Sequence, residues 1–498
     1  MGLESWILIS LALIFGLYMA WSIGANDVAN AMGTSVGSGA LTLKRAVILA
    51  AIMEFGGAFL VGPNVSETVR KGIVDTSVFM EDPMMLALGM LASLLAAAAW
   101  LQLASYFGWP VSTTHSIVGA IVGFAAVYGG VGAIKWVGEG TFSAILSGKG
   151  GIVSIVASWV VSPLLSGTIA FVVFRLILTG IFYKPDPVSA AKKATPYIVF
   201  AVMVTMMLVL AFKGLKPFWK NLGFDSHLEP FPLTMGLIGA VAAGLLGAII
   251  SRMLVSRMDM GDPIATEQAH NLYMKRALSK AMMHLRRARN TSSGRIKQSA
   301  DEVLQQTKDI YASVRDTSGT DSERSAYRQV ERVFIYLQII SAGFVAFAHG
   351  ANDVANAIGP LSVVVEIATS DPMVVPAEAS VPMLMLGLGG IGIVIGLATW
   401  GWRVIATVGK RITELTPSRG FCAEFAAALT ILLASVCKLP ISTTHTLVGA
   451  VLGVGLARGI GALNLRTVRD ILISWVITIP AGAGLAVVFF YILRMMFL

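Results

Sequence analysis

The sequence predicts an all-α polytopic membrane protein, built as two inverted five-segment repeats with broken helices and helical hairpins. Three observations carry that prediction. Of 498 residues, 56% are hydrophobic and only 13% charged, with a mean hydropathy of +0.76; soluble domains carry about 25% charged residues. Apolar stretches near or above the ~20 residues needed to span a bilayer recur along the whole chain. Two long motifs also occur twice, at nearly constant spacing.

Taken in order, the apolar segments fall near 5–32, 44–63, 84–107, 110–130, 151–181, 196–213, 231–255, 330–358, 381–408, 418–438, 440–460 and 468–497, about twelve in all. The opening MGLESWILIS has no basic n-region and no small-residue cleavage site, so the first segment reads as retained. The predicted organisation is a first transmembrane repeat at 1–182, linking segments at 183–255, a cytoplasmic loop at 256–329 and a second, inverted repeat at 330–498. The net charge of +9 does not indicate nucleic acid. Between Arg252 and Arg332 fifteen Lys/Arg are mixed with ten Asp/Glu, and Asn271 to Arg289 can form a basic amphipathic helix. Such a linker suits anionic headgroups. Cys422 and Cys437 lie in apolar segments and are read as packing residues.

GANDVANA at 24–31 returns at 350–357, and PVSTTHSIVGA at 110–120 returns as PISTTHTLVGA at 440–450. Gly24 to Ser112 is 88 residues and Gly350 to Ser442 is 92; the first motif recurs after 326 residues and the second after 330. The two GANDVANA copies lie in segments one and eight, an odd offset of seven, so the halves enter the membrane from opposite sides. Inverted repeats of this kind place a substrate site near the midplane, at their interface. Lys and Arg in the short loops set the orientation. With the N-terminus outside, the inner loops hold twelve (Lys44, Arg45, Lys184, Lys192, Lys193, Arg403, Lys410, Arg411, Arg419, Arg458, Arg466, Arg469). The outer loops hold seven (Arg70, Lys71, Lys135, Lys149, Lys213, Lys216, Lys220). Both termini are therefore expected outside.

From Ser5 to Leu43 the only charge is Asp27. As one straight helix those 39 residues would run roughly 58 Å, about twice the hydrocarbon core. That helix must therefore break or tilt, and Gly24 with Gly33, Gly37 and Gly39 makes a break easy; the pattern repeats where Val333 to Val365 carries Asp353 alone. An intramembrane aspartate costs at least ~2.5 kcal/mol unless it is solvated, paired or given a ligand. Asp27 with Asn30, and Asp353 with Asn356, share a helical face, with Asn26 and Asn352 adjacent. Carboxylate, amide and freed carbonyl oxygens form an all-oxygen site for a hard cation, and sodium is the expected ion. No thiolates or paired imidazoles point to zinc or copper. Small residues and Asn also serve helix packing, but packing has no need of the aspartates. In the second motif, Pro110 and Pro440 precede Ser-Thr-Thr and a small, apolar helix. Free N–H groups, hydroxyls and the positive end of the helix dipole suit an oxyanion there; the plainer role is N-capping. His115 and His445 are expected to make structural hydrogen bonds, with proton sensing as the alternative.

The paired GANDVANA and P-[VI]-STTH motifs, with VSETVRKGI at 65–73, resemble the inorganic phosphate transporter (PiT) family over the whole length. The resemblance implies symport of inorganic phosphate with sodium across the plasma (inner) membrane. It implies phosphate binding by Ser112, Thr113, Thr114, Ser442, Thr443 and Thr444, and sodium sites at Asp27, Asn30, Asp353 and Asn356. Glu54 and Glu424 match acidic positions of the sodium-coupled branch. The proton-coupled branch tends to have His before the Asp, where this chain has Asn26 and Asn352. The alternative is a proton-coupled phosphate or sulfate symporter of the same fold. Phosphate keeps a P–OH that wants an acceptor such as Asp27 or Asp353, and sulfate offers none. An anion channel and an intramembrane hydrolase using Ser112 and His115 are the rivals from other classes. No enzyme activity, cofactor or nucleic-acid partner is expected; the partners are phosphate, sodium and the lipid bilayer. A homodimer is left open.

Overall fold

Helix boundaries follow the punctuation of the sequence. Pro63, Pro83 and Pro417 stand at the first helical positions, where a missing N–H costs nothing. Ser112 and Ser442 cap the helices that follow them, and Gly108 and Lys438 turn the chain in left-handed conformations after the helices that precede them. The computed structural model describes residues 2–138, 151–211, 231–258, 278–279, 281–291, 293–313, 319–375, 381–402, 404–405, 415–459 and 465–497. Lys149, Lys213, Lys216, Lys220, Arg403, Lys410 and Arg411 of the charge count, and 259–277 of the loop, lie outside the described residues. So do the side chains of Arg70, Lys71 and Arg466.

The helices are α1 (Leu3–Gly37), α2 (Leu43–Val61), α3 (Pro63–Lys71), α4 (Pro83–Phe107), α5 (Thr113–Gly129), α6 (Gly151–Ile177) and α7 (Pro187–Val209). They continue with α8 (Phe231–Ser256), α9 (Gly294–Ser313), α10 (Gly319–Thr369), α11 (Met383–Thr399), α12 (Pro417–Val436), α13 (Thr443–Arg458) and α14 (Leu465–Phe497). Each of the twelve predicted segments falls on one of these; α3 and α9, too polar to span, are additional. Among the described residues eight helices are long and apolar enough to cross a membrane, and α5 and α11 are shorter apolar helices. β pairing among them is confined to one bridge, Val74 with Ile134.

The chain divides into two compact units. One comprises Met1–Phe174, Val202–Ala243 and Tyr336–Leu498, and holds both copies of both motifs. Here α1 packs on α11, α4 and α2, α14 packs on α5 and α4, and α12 packs on α13. Elements of the first sequence copy thus lie against elements of the second. The other unit comprises Arg175–Ala201 and Gly244–Ile335. Its packing centres on Val255 and Val333, with Val188 and Met258 against them, and on Phe182 stacked with Tyr327 and Phe334. The described part of its basic stretch, 281–291, is helical.

The expected helix breaks are absent. The α1 helix runs unbroken through Gly24, and α10 runs unbroken through Gly350. Glycine serves a different purpose at these positions. A Cβ on Gly24 would stand 2.8 Å from the Ile393 carbonyl carbon of α11, and one on Gly350 would stand 2.7 Å from the Glu54 carbonyl carbon of α2. Each GANDVANA glycine therefore lets two helix backbones touch, as in small-residue membrane contacts. With the helical ladder intact, no backbone carbonyls are freed, and the oxygens left for a cation are those of side chains.

Candidate functional site

The two central helices and the two Ser-Thr-Thr helices meet in one buried polar cluster. Asp27 and Asp353 are fully buried, and Asn30 and Asn356 are nearly so. Asn30 Nδ2 donates to Thr444 Oγ1 at 2.7 Å, and Asn356 Nδ2 donates to Thr114 Oγ1 at 3.2 Å. Each asparagine thus reaches the threonine of the other sequence copy. Each aspartate faces its own copy: Thr443 Oγ1 donates to Asp353 Oδ2 at 2.9 Å, and the Thr113 hydroxyl is turned to Asp27. The threonines also cross over through the backbone. Thr114 Oγ1 donates to the Ile441 carbonyl at 2.9 Å, and Thr444 Oγ1 to the Val111 carbonyl at 3.4 Å.

Ser112 and Ser442 act differently from their neighbours. Each Oγ accepts the N–H of the histidine three residues on, at 3.2 Å in both copies. They are N-caps that leave the next residues' N–H groups and the threonine hydroxyls directed at the cluster. That same bond removes the hydrolase reading, because Ser112 pairs with the His115 backbone. The His115 ring packs on Trp159 with centroids 3.8 Å apart, and the His445 ring stacks on Trp475 at 3.3 Å. The two imidazoles meet edge to face at 4.3 Å. Neither tryptophan was singled out in the sequence, where a lone aromatic in an apolar helix carries no signal.

Asn26 and Asn352 lie apart from the Asn–Thr crossings. Asn26 Nδ2 donates to Ser105 Oγ at 2.8 Å and to the Trp109 carbonyl at 3.4 Å. Asn352 Nδ2 does the same with Ser435 Oγ at 3.1 Å and the Leu439 carbonyl at 3.3 Å. These side chains tie the turns before the Ser-Thr-Thr helices to the central helices.

The cluster's charge balance involves His349, which the sequence shows only as the residue before Gly350. Its Nε2 stands 2.9 Å from Asp353 Oδ2 and 3.7 Å from Asp27 Oδ2, and its Nδ1 3.3 Å from Glu54 Oε1. Asp27, His349 and Asp353 each bring one atom to within 4.8 Å of the others, close enough to share an ion. Asp27 Oδ2, Asp353 Oδ1 and Asn356 Oδ1 are buried acceptors with no hydrogen-bond donor in the structure, as are Asn26 Oδ1, Asn352 Oδ1 and both Glu54 carboxylate oxygens. A buried acceptor without a donor is costly, and an oxygen-ligated cation would satisfy acceptors of this kind.

Glu424 stands elsewhere, in a cage of donors. Its Oε1 accepts from Thr34 Oγ1 at 2.5 Å, Ser35 Oγ at 2.7 Å and Gln338 Nε2 at 3.2 Å, and its Oε2 accepts from Ser341 Oγ at 2.6 Å. Gln338 is itself fixed by Ser38 Oγ, 2.7 Å from its Oε1. Four donors satisfy the carboxylate without a cation. Glu54 and Glu424 are thus both fully buried, but only Glu54 meets His349, which stands beside both aspartates.

The model of the phosphate transporter family matches residues 23–486. The chloroplastic inorganic phosphate transporter 2-1 of Arabidopsis thaliana is 44% identical over 492 residues, which cover 99% of this chain and 73% of that protein. A solved structure described as the sodium-dependent phosphate transporter aligns with a TM-score of 0.74 at 35% identity, covering 98% of this chain and 99% of the other. The chain is thus a multi-pass membrane transporter and not an enzyme. With its motifs, helices and buried cluster all inside the matched span, it belongs to the phosphate transporter family.

Proposed function

We propose that the chain is a sodium-coupled symporter of inorganic phosphate, working by alternating access between two inverted repeats. The observation that carries sodium coupling is the group of donor-less acceptors, among them Asp27 Oδ2, Asp353 Oδ1, Asn356 Oδ1, Asn26 Oδ1 and Asn352 Oδ1, beside the Asn30–Thr444 and Asn356–Thr114 crossings. In this reading sodium takes the carboxylate and amide oxygens of Asp27, Asn30, Asp353 and Asn356. Phosphate takes the hydroxyls of Thr113, Thr114, Thr443 and Thr444 and the N–H groups of the helices that Ser112 and Ser442 cap. Binding the anion parts the two crossings, since the Thr114 and Thr444 hydroxyls are now taken up by Asn356 and Asn30 and by the Ile441 and Val111 carbonyls. Asn26 and Asn352 act as struts through Nδ2 and leave their donor-less Oδ1 atoms available to the cation.

The solved relative named for sodium dependence supports the coupling ion. His349, between three carboxylates, favours proton coupling as the second reading. One experiment separates them: phosphate uptake into proteoliposomes under an inward sodium gradient, a choline control, and an inward proton gradient, with sulfate as cold competitor. Sodium-driven uptake that sulfate leaves alone is expected. Uptake driven only by protons overturns the sodium assignment and keeps the phosphate site.

A further inference from the structure

Four consecutive backbone carbonyls in the turn before Ser442 are each held by a side chain from a different helix. Thr68 of α3 donates to the Lys438 carbonyl at 2.6 Å, and Asn352 of α10 to the Leu439 carbonyl at 3.3 Å. Trp159 of α6 donates through Nε1 to the Pro440 carbonyl at 3.3 Å, and Thr114 of α5 to the Ile441 carbonyl at 2.9 Å. We propose that 438–441 is a latch that holds this conformation. The transport cycle exchanges the Trp159–Pro440 bond for its counterpart, Trp475 Nε1 to the Pro110 carbonyl, and frees Lys438 from α3. This rests on the alternating access proposed above.

The plainer role is a well-tied turn, and two observations go beyond it. The first is Lys438 itself, at φ 59° the one non-glycine residue with a positive φ among the described residues. At the motif spacing of 330 residues it corresponds to Gly108, which has φ 67°. A side chain there bears a steric cost that glycine avoids, so a turn built for stability alone would keep glycine in both copies. Lys438 instead places its ammonium 2.5 Å from Glu67 Oε2 of α3, with the two side chains 44% and 56% exposed. An ion pair this exposed holds weakly, which suits a contact that opens at every turnover.

The second is an unmatched donor in the other copy. Gly449 and Gly453 of α13 press on Pro163 and Gly167 of α6, as Gly119 and Gly123 of α5 press on Ile479 and Ala483 of α14. Trp159 stands four residues before Pro163 and Trp475 four before Ile479, so the two tryptophans are counterparts. Trp159 lies on His115, Trp475 lies on His445 and the imidazoles touch, so one stack of rings joins both. Yet Trp159 Nε1 holds Pro440, while Trp475 Nε1 is buried without a partner. The first-copy turn is also held at longer range: Asn26 and Thr444 reach the Trp109 and Val111 carbonyls at 3.4 Å each, against 3.3 and 2.9 Å in the second copy. A buried N–H left unpaired is costly, and in the opposite conformation of an inverted-repeat carrier the two tryptophans trade places.

The test uses the full chain in vesicles, with its two cysteines first replaced as Cys422→Ala/Cys437→Ala. In that background Glu67→Cys/Lys438→Cys places a thiol on each side of the latch. A short bifunctional thiol reagent across the pair is expected to cut phosphate uptake roughly tenfold or more, while the same reagent on either single cysteine leaves uptake within about twofold. Spin labels on the pair read the latch without transport, because labels held close broaden each other's spectrum. Trp159→Phe keeps a ring on His115 but loses the N–H, so the ratio of latched to unlatched protein should fall roughly fivefold, the size of one hydrogen bond. Trp475→Phe removes a donor that only the other conformation uses, so the ratio should rise by about the same factor. Shifts in the same direction, or none, overturn the exchange. Cation-coupled uptake that ignores the cross-link overturns the latch and leaves the symporter standing. Phosphate flux that needs no cation and ignores the cross-link retires alternating access and the latch together. Proton-driven uptake that the cross-link stops retires only the sodium reading.

Discussion

Gly24→Ala and Gly350→Ala test whether the GANDVANA glycines are contact points or hinges. A methyl on Gly24 would lie 2.8 Å from the Ile393 carbonyl carbon and 2.9 Å from the Leu397 nitrogen. Carbon contacts settle near 3.5–4.0 Å, so α1 and α11 must part by at least ~0.7 Å. Both groups in the way are backbone, and no side-chain rotation relieves them. Overpacking of this kind costs about 1–3 kcal/mol, which as a lost fraction of the closed contact is roughly five- to 150-fold. Asp27 lies three residues beyond Gly24, so the shift also reaches the cluster. Gly343→Ala is the control, because its methyl would meet only Met53 and Leu49 side chains at 3.6–3.8 Å, an ordinary contact. Thermal unfolding of purified protein in detergent, with phosphate uptake alongside, reads the outcome. The expected result is a lowered melting temperature and weakened uptake for Gly24→Ala and Gly350→Ala, with Gly343→Ala near wild type or slightly stabilised by helix propensity. If all three variants behave like wild type, the close approach is not real and the hinge reading returns.

Further expectations concern the cluster. Asp27→Asn or Asp353→Asn should cripple sodium-dependent uptake, and near-normal sodium affinity and rate in both would sink the cation assignment. Thr113→Val and Thr443→Val should raise phosphate KM, with Thr114→Val and Thr444→Val stronger because they also lose the crossings; unchanged phosphate kinetics in all four would move the anion site elsewhere. Asn352→Ala removes two bonds from a buried donor and leaves Ser435 and the Leu439 carbonyl short of one, a loss of about 1–3 kcal/mol. It should lower the melting temperature without changing which ion drives transport, and a change of coupling ion would mean that its donor-less Oδ1 selects the cation. His349→Ile should destabilise more than the double variant His349→Ile/Glu54→Ile, because the single change strands a buried carboxylate at a cost of about 3–5 kcal/mol. A double-mutant cycle by thermal melting decides it, and strict additivity would mean the two do not pair.

Much of this site could be read in the sequence because its parts are local. The duplicated motifs, the capping Ser112 and Ser442, the apolar segments and the charge at Asp27 and Asp353 are all visible within a few residues. The helix break at Gly24 was misread because a hinge and a close backbone approach place the same residue in the same pattern. Only the partner helix, more than 360 residues away at Ile393, tells them apart. Asn26 and Asn352 were grouped with the ligands by adjacency; their Nδ2 groups reach other partners, while their Oδ1 atoms remain without a donor. His349 was given no role, and the donors around Glu424 escaped notice, for the opposite reason. A histidine or glutamine in an apolar segment carries no mark of what it meets, and Gln338 meets Glu424 only after the chain has folded back.

The duplication itself explains why one histidine matters so much. The contact at Gly350 involves Glu54, and the same contact at Gly24 involves Ile393. Likewise His349 precedes one glycine and Ile23 precedes the other. Ile23 and Ile393 are fully buried, so one copy keeps an apolar pair where the other keeps an imidazole and a carboxylate. Burying two ionisable groups costs more than burying two isoleucines, even when they pair, so stability alone would favour the apolar version in both copies. Two identical copies would place Asp27 and Asp353 in equivalent surroundings. Instead the single imidazole stands 2.9 Å from Asp353 and 3.7 Å from Asp27. The two aspartates are therefore inequivalent from the outset, and cations bound at the two copies would be held with different strength. Under the proposed sodium coupling, this one asymmetric pair between the two sequence copies would set an order in which their cations bind.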